Sequence, residues 1–257
     1  MIELTNVTSG YGGSVKLNIE KLVIKDSEIT TVIGKNGSGK STLLKTIDAQ
    51  INYNGSVKAD GREMKQLSHK ERARIVSYLP QTLLPVNMTV ETLVSHGRFA
   101  YGDFSHTLSS SDKEHINSAI RIADLDAYRE RSVSTLSGGE RTRAYLAMII
   151  AQDSKYVLLD EPTSDMDIPH QKQICDILKK LSEKGIGVLI ASHDMPLSFD
   201  ISDSICVIAD GKAAAFGTPE SISADRGFLE KNIGVAVGRI NDDRQLYGYA
   251  LMRDGRE

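Results

Sequence analysis

The sequence predicts an α/β fold whose core is a parallel sheet covered by helices on both faces. Three patterns carry that expectation. A compact β-rich run at 29–33 leads straight into a glycine-rich loop and then into a breaker-free helical stretch at 41–49, a strand–loop–helix unit. From residue 153 onward, strand-like runs at 156–159, 187–191 and 204–209 alternate with an amphipathic helix at 171–182 that carries Ile174, Ile177, Leu178 and Leu181 on one face. Short apolar strands alternating with such helices are the pattern of a sheet buried on both sides. Between these blocks, residues 83–152 lack strand-like runs and carry helix signals, so they read as a helical insert.

Taken in order, residues 2–24 hold short β-rich runs around Ser9-Gly10-Tyr11-Gly12-Gly13 and an alternating stretch at 15–24, which predict strands joined by a turn. A strand pair at 53–59 and 75–79 flanks the Asp60-Gly61 turn and a polar segment at 67–74 that suits a short helix. In the insert, Ser111 followed by Glu114 predicts a capping box, with Ile116, Ala119, Ile120 and Ala123 at helical spacing. The tail at 234–251 alternates weakly around Asn241-Asp242-Asp243 and predicts a terminal hairpin.

Composition bounds the function. The chain has 257 residues, 31 Lys and Arg against 34 Asp and Glu, a formal charge of -3 and 40% hydrophobic residues, which suits an ordinary globular protein. The apolar stretch at 144–151 is far below the ~20 residues needed to span a bilayer, and no basic-then-apolar leader opens the chain. Cys175 and Cys206 stand apart in apolar surroundings, which argues against a disulfide framework or zinc site and for a reducing cytoplasm. A near-neutral balance removes the electrostatic argument for a nucleic-acid partner. Asp200, Asp203 and Asp210 lie around a strand and read as solvated rather than as metal ligands.

The chemistry starts at Gly34-Lys35-Asn36-Gly37-Ser38-Gly39-Lys40-Ser41, a G-x-x-x-x-G-K-S sequence between a predicted strand and a predicted helix. Glycines let backbone amides point at phosphate oxygens, and the helix N-terminus adds positive potential. Lys40 supplies a mobile cation for the β- and γ-phosphates, and Ser41 offers a hydroxyl to Mg²⁺. A second acidic centre follows the apolar run 156–159: Asp160 at the strand end can reach the metal shell, and Glu161 can orient or deprotonate water at the γ-phosphate. A further helix N-terminus, Leu136-Ser137-Gly138-Gly139-Glu140-Arg141, opens a long helical stretch and offers a second anion site, so another copy of the chain would complete each nucleotide site.

With these motifs in place the sequence resembles the ATP-binding cassette (ABC) family of ATPases over nearly its whole length. The resemblance implies a single domain spanning 1–257, a P-loop NTPase with a RecA-like parallel sheet core. Residues 1–82 and 153–257 would form that core with an N-terminal antiparallel β subdomain, and 83–152 the insert that bears the signature motif. It implies a nucleotide-binding set of Gly34, Lys35, Asn36, Gly37, Ser38, Gly39, Lys40, Ser41, Thr42 and Asp160, with Tyr11 stacking on adenine and Ser137, Gly138 and Gly139 reaching across a dimer. Glu161, His193, Lys40 and Gln81 would be the catalytic group, Ser41, Gln81 and Asp160 would hold Mg²⁺, and Asp167 lies in the loop that contacts the second copy. Asp165-Met166 and Thr142 depart from the commoner family residues, which touches only the dimer contacts.

One phosphate loop, one signature and no spanning segment resemble the separate ATPase subunit of a bacterial importer. The segments 60–61, 67–74, 90–98 and 216–220 are similar to those of iron-siderophore, haem and cobalamin uptake ATPases. The resemblance implies ATP and Mg²⁺, a head-to-tail dimer, an integral membrane permease docked around residues 82–105, and indirectly an extracytoplasmic substrate-binding protein. The chain would sit on the cytoplasmic side of the membrane. The ATPase of another ABC transporter class, or a soluble non-transport ABC ATPase, remains the alternative. A small-molecule kinase or GTPase shares the phosphate loop but has no use for 136–140, and no guanine-reading Asn-Lys-x-Asp sequence occurs.

Overall fold

The computed structural model describes residues 1–102, 107–164, 166–239 and 247–251. Strands β1 (Ile2–Tyr11) and β2 (Ser14–Ile24) are joined by Gly12 and Gly13, whose φ angles of 55° and 82° give the two-residue turn that matches strand twist. Next come β3 (Ile29–Ile33), α1 (Lys40–Ile47), β4 (Tyr53–Ala59), β5 (Arg62–Glu63), α2 (His69–Ile75) and β6 (Val76–Leu79). Helices α3 (Val90–Ser95), α4 (Ser110–Ile122) and α5 (Gly138–Ala151) follow. The chain then runs through β7 (Tyr156–Asp160), α6 (Ile168–Glu183), β8 (Gly187–Ala191), α7 (Met195–Ile201), β9 (Ser204–Ala209) and β10 (Lys212–Gly217). It closes with α8 (Pro219–Ala224), α9 (Arg226–Ile233), β11 (Val235–Arg239) and β12 (Tyr247–Leu251).

A six-stranded sheet has the order β10-β9-β3-β8-β7-β6, parallel from β9 to β6 with β10 antiparallel at the edge. A four-stranded antiparallel sheet, β2-β1-β4-β5, lies apart from it in the pairing. Strands β3, β7 and β8 are buried at every residue, as two-sided coverage demands. Alternate side chains divide between two cores. Val157, Leu159, Val188 and Ile190 join residues of α3, α4, α5 and α6, while Tyr156, Leu158, Leu189 and Ala191 join α1 and the antiparallel sheet. Each such aliphatic contributes about 1.5–3 kcal/mol by leaving water, so both faces of the parallel sheet add to stability. A third cluster around Phe199, Ile222 and Leu229 seats the C-terminal helices against β9.

Several local expectations shift. The capping box in the insert is Ser109 with Asp112, two residues before the expected Ser111 and Glu114. The earlier start wins because Asp112 then serves twice, accepting from the Ser109 amide at 3.0 Å and from Arg98 Nε at 2.8 Å. Helix α6 begins at Ile168 rather than 171, since Asp167 accepts from the His170 amide and Pro169 fits the first turn. Strand β10 escapes the sequence pattern because its Ala-rich run has little β propensity; the Asp210-Gly211 turn, with φ of 49° and 74°, folds it back on β9. Helices α7, α8 and α9 were equally hidden. Asp203 is exposed, as expected, and one carboxylate oxygen also accepts from the Ile29 amide at 2.8 Å, pinning the start of β3. The terminal hairpin forms between β11 and β12, while Asn241, Asp242 and Asp243 lie outside the described residues, as does Asp165.

Both cysteines are buried and unpaired, and burial pushes the thiols up to about 11 for Cys175 and about 12 for Cys206. Among the described residues no helix is long and apolar enough to cross a membrane.

Arg98 is buried, with its guanidinium on Asp112, on the Ala151 carbonyl at 2.7 Å and over the Tyr101 ring at 4.1 Å. The Ser109 hydroxyl and then Arg98 hold the Asp112 carboxyl down to about 2. Asp112→Ala removes the carboxylate half of the capping box and the charged partner of a buried guanidinium, and is expected to cost about 3 kcal/mol in urea unfolding at pH 7. Because the folded carboxyl is depressed, its contribution is complete above about pH 4 and is lost as pH falls towards 2, so the difference between the two proteins should shrink over that window.

Candidate nucleotide site

Four adjacent parallel strands, β3, β8, β7 and β6, end on one edge of the sheet, and each catalytic candidate follows one of those ends. Lys40 comes from the loop after β3, His193 lies just beyond β8, Glu161 follows β7 and Gln81 lies just beyond β6. Parallel order therefore gathers residues far apart in the chain, as ligand sites in open α/β sheets require.

The loop after β3 is shaped by its glycines. Gly37 and Gly39 have φ of 78° and 113°, and a Cβ on Gly34 would collide with the Ile208 carbonyl. Gly39 forms the N-cap of α1, leaving the first amides of the helix directed to the loop. The Lys40 ammonium donates to the carbonyls of Gly34 at 2.8 Å and Lys35 at 3.3 Å, so it is held inside the loop it serves. Burial pulls Lys40 below the ordinary lysine range, against the opposing attraction of Glu161 and Asp160. The loop is braced from below by the Gly211 amide, which donates to the Ser38 carbonyl at 3.0 Å.

The acid pair sits opposite. Asp160 is 3% exposed; one carboxylate oxygen accepts from Ser41 Oγ at 2.9 Å and the other from the Tyr78 hydroxyl at 3.1 Å. Burial, then the Asp160 charge, raises the Tyr78 phenol above its ordinary range, so it stays a donor. Glu161 has φ of 51°, a left-handed backbone uncommon for a residue with a side chain. Its amide donates to the Ala191 carbonyl at 2.9 Å, and its carbonyl accepts from Ser164 Oγ at 3.0 Å, which fixes the turn. Oε2 of Glu161 accepts from Gln81 Nε2 at 2.7 Å and lies 3.2 Å from His193 Nδ1.

A cavity of about 490 Å³ is lined by Tyr11, Asn36, Gly37, Gly39, Lys40, Ser41, Thr42, Gln81, Glu161 and His193. Tyr11, 47% exposed, ends β1 at its rim. Lys16 also lines it and escaped sequence reasoning, because a lysine on an alternating strand looks like any solvated one. Gly34 and Lys35 instead line an adjoining cavity of about 740 Å³ shared with Asn36, His193, Met195 and Ile233. Ser38 is buried within the loop, its hydroxyl without a partner.

The signature residues stand apart from this cavity. Ser137 is exposed at the N-cap of α5, its hydroxyl accepting from the Glu140 amide at 3.3 Å while Glu140 accepts from the Ser137 amide at 2.8 Å. The Ser137 amide holds the Glu140 carboxyl below the usual range. Gly138 borders a small cavity with Gln81 and Glu161. Gly139 lies under His170, whose ring Nδ1 pairs with Asp167.

A glycine loop between strand and helix, facing an acid pair at the end of another parallel strand of the same sheet, defines a P-loop nucleotide-hydrolase fold. Residues 17–164 match the ABC transporter family, and the chain belongs to that family of ATPases. It is 37% identical over 251 residues to the petrobactin import ATP-binding protein YclP of Bacillus subtilis, covering 96% of this chain and 98% of that protein. It is 34% identical to the ferric enterobactin transport ATP-binding protein FepC of Escherichia coli, covering 92% and 88% of the two chains. A dimeric ATP-binding cassette solved in a post-hydrolysis state with ADP and Pi superposes with a TM-score of 0.73 at 26% identity, covering 85% of this chain and 99% of that one. An inward-facing metal-chelate type ABC transporter gives a TM-score of 0.84 over 98% of this chain and 97% of that one; at 20% identity that likeness is one of fold.

A Cβ at position 139 would run into the His170 ring, whose Nδ1 pairs with Asp167. Gly139→Ala is expected to lower stability by about 1–2 kcal/mol through overpacking. Gly139→Ala combined with His170→Ala should recover most of that loss; urea unfolding of both variants checks it.

Proposed function

We propose that the chain is the ATP-hydrolysing subunit of an ABC importer that takes up an iron complex of the siderophore kind or a similar metal chelate. The observation that carries the reaction is the shared Glu161 oxygen, which brings Gln81 and His193 from two other strand ends onto one carboxylate beside the phosphate loop. The cargo class is supported by relatives named for petrobactin and ferric enterobactin that match nearly the full chain.

The residues fit ATP with Mg²⁺. Glycine positions that a Cβ would fill or strain form the phosphate cradle, and Ser41, Asp160 and Gln81 are hard oxygen donors of the kind Mg²⁺ takes. When bound, the metal would neutralise charge on the β- and γ-phosphate oxygens. Loop amides and Lys40 bind the phosphates, with Tyr11 beneath the adenine. Glu161 orients a water and accepts its proton, and His193 reaches the γ-phosphate. Ser137, Gly138 and Gly139 of a second, head-to-tail copy complete the site, a reading supported by the exposure of Ser137 and Gly138.

We take residues 1–257 as one ABC ATPase domain, with 83–152 as the insert that carries motion to an integral membrane permease. Leu84 and Phe99 are 65% and 48% exposed on that insert and suit a protein docking face; residues 103–105 of the expected face lie outside the described residues. Through the permease the subunit works at the cytoplasmic side of the membrane, fed by an extracytoplasmic substrate-binding protein.

Glu161→Gln is expected to reduce phosphate release at least about 100-fold while ATP binding persists, because a general base of this kind contributes that much or more. Light scattering should then show ATP-dependent dimers, which the wild-type protein forms only transiently. Undiminished phosphate release would remove Glu161 from its role.

A further inference from the structure

The segment that leads into the helical insert makes two contacts with the acid pair. Gln81 donates to Glu161 at 2.7 Å, and three residues earlier Tyr78, in the last turn of strand before Pro80, donates its hydroxyl to Asp160 at 3.1 Å. Asp160 is thereby held from both sides, by Ser41 on one oxygen and by Tyr78 on the other. Strand β6 lies directly beside β7, with Tyr78 opposite Leu158 and Leu79 opposite Leu159, so a rigid ladder fixes the tyrosine relative to the aspartate. Without the phenol, the second carboxylate oxygen of a buried Asp160 would keep no protein donor among the described contacts, and the carboxylate could turn about its χ2 bond away from Ser41.

We propose that Tyr78 is a positioning residue for the metal, setting the carboxylate plane of Asp160, and that it makes the segment 78–81 report to the metal ligand as well as to the general base. The proposal rests on the reading of Ser41 and Asp160 as holders of Mg²⁺. It assigns Tyr78 no contact with nucleotide or metal; its action passes through Asp160. Gln81 and Tyr78 then divide the work: movement of the insert that draws on this segment loosens Glu161 and Asp160 together, so water activation and metal retention are lost in one event.

Tyr78→Phe keeps the ring and removes only the donor. With Mn²⁺ as the probe and a non-hydrolysable ATP analogue present, electron paramagnetic resonance titration should show the Mn²⁺ dissociation constant rise at least about tenfold, the lower end of what one hydrogen bond to a charged group contributes. Binding of the same analogue in EDTA should stay within about twofold of wild type, since the phosphate loop is untouched. The Mg²⁺ concentration giving half-maximal phosphate release should rise in parallel and excess Mg²⁺ should restore turnover, which a merely structural defect would not permit. Tyr78→Leu serves as the packing control: without metal it should lose more thermal stability than Tyr78→Phe, which keeps the ring. Wild-type Mn²⁺ affinity in Tyr78→Phe overturns the assignment of Tyr78 alone. A wild-type chain that shows no Mn²⁺ bound with nucleotide overturns the metal reading beneath it, and this assignment with it.

Discussion

The site depends on one backbone turn. In an extended strand Asp160 and the residue after it would point to opposite faces of the sheet, and one of two adjacent carboxylates would be lost in a core. The left-handed conformation of Glu161 breaks that alternation at the strand end and sends its side chain along the sheet edge towards Gln81 and His193. A conformation of this sort costs of order 1–3 kcal/mol and persists because surrounding bonds over-determine it. Here the Ala191 carbonyl takes the amide and Ser164 takes the carbonyl, so strand β8 and the loop after β7 clamp the turn from two sides. The buried, unbroken β7 supplies the rigidity that makes such a clamp effective.

The parts of the fold that were legible in sequence are those where a local pattern and a tertiary requirement coincide. The phosphate loop could be read because its glycines answer a local backbone need and its flanks, β3 and α1, are strongly patterned. The four apolar residues before Asp160 could be read because a strand buried on both faces has no polar alternation to blur it. What stayed hidden was decided elsewhere in the chain. The cap of α4 moved to Ser109 because a distant arginine, Arg98, competes for Asp112, and no rule of local spacing contains that partner. Strand β10 exists because a turn places it on β9, not because its alanines favour extension. Tyr78 reads as an ordinary strand tyrosine until β6 and β7 are seen side by side. The bond from the Ile29 amide to the exposed Asp203 could not be read because the two lie 174 residues apart.

Polar contacts that close packing makes specific tie the insert together and, at two points, to the core. Arg98 reaches the end of α5 through the Ala151 carbonyl and α4 through Asp112, with Tyr101 between it and Arg74. Gly97 permits this, since a Cβ there would collide with the Met148 carbonyl. At the other end of α5, Gly139 lets His170 settle over the signature turn, which ties the start of α6 to it. Helix α5 is thus gripped near both termini by residues from outside it.

The polar groups of the phosphate edge satisfy one another: the Lys40 ammonium on loop carbonyls, Ser41 on Asp160, Gln81 and His193 on Glu161. Ligand binding therefore trades one set of hydrogen bonds for another instead of ordering loose side chains, and its entropic penalty is small. The same economy leaves Oε2 of Glu161 guarded: with Gln81 and His193 on it, a passing water finds that oxygen already engaged.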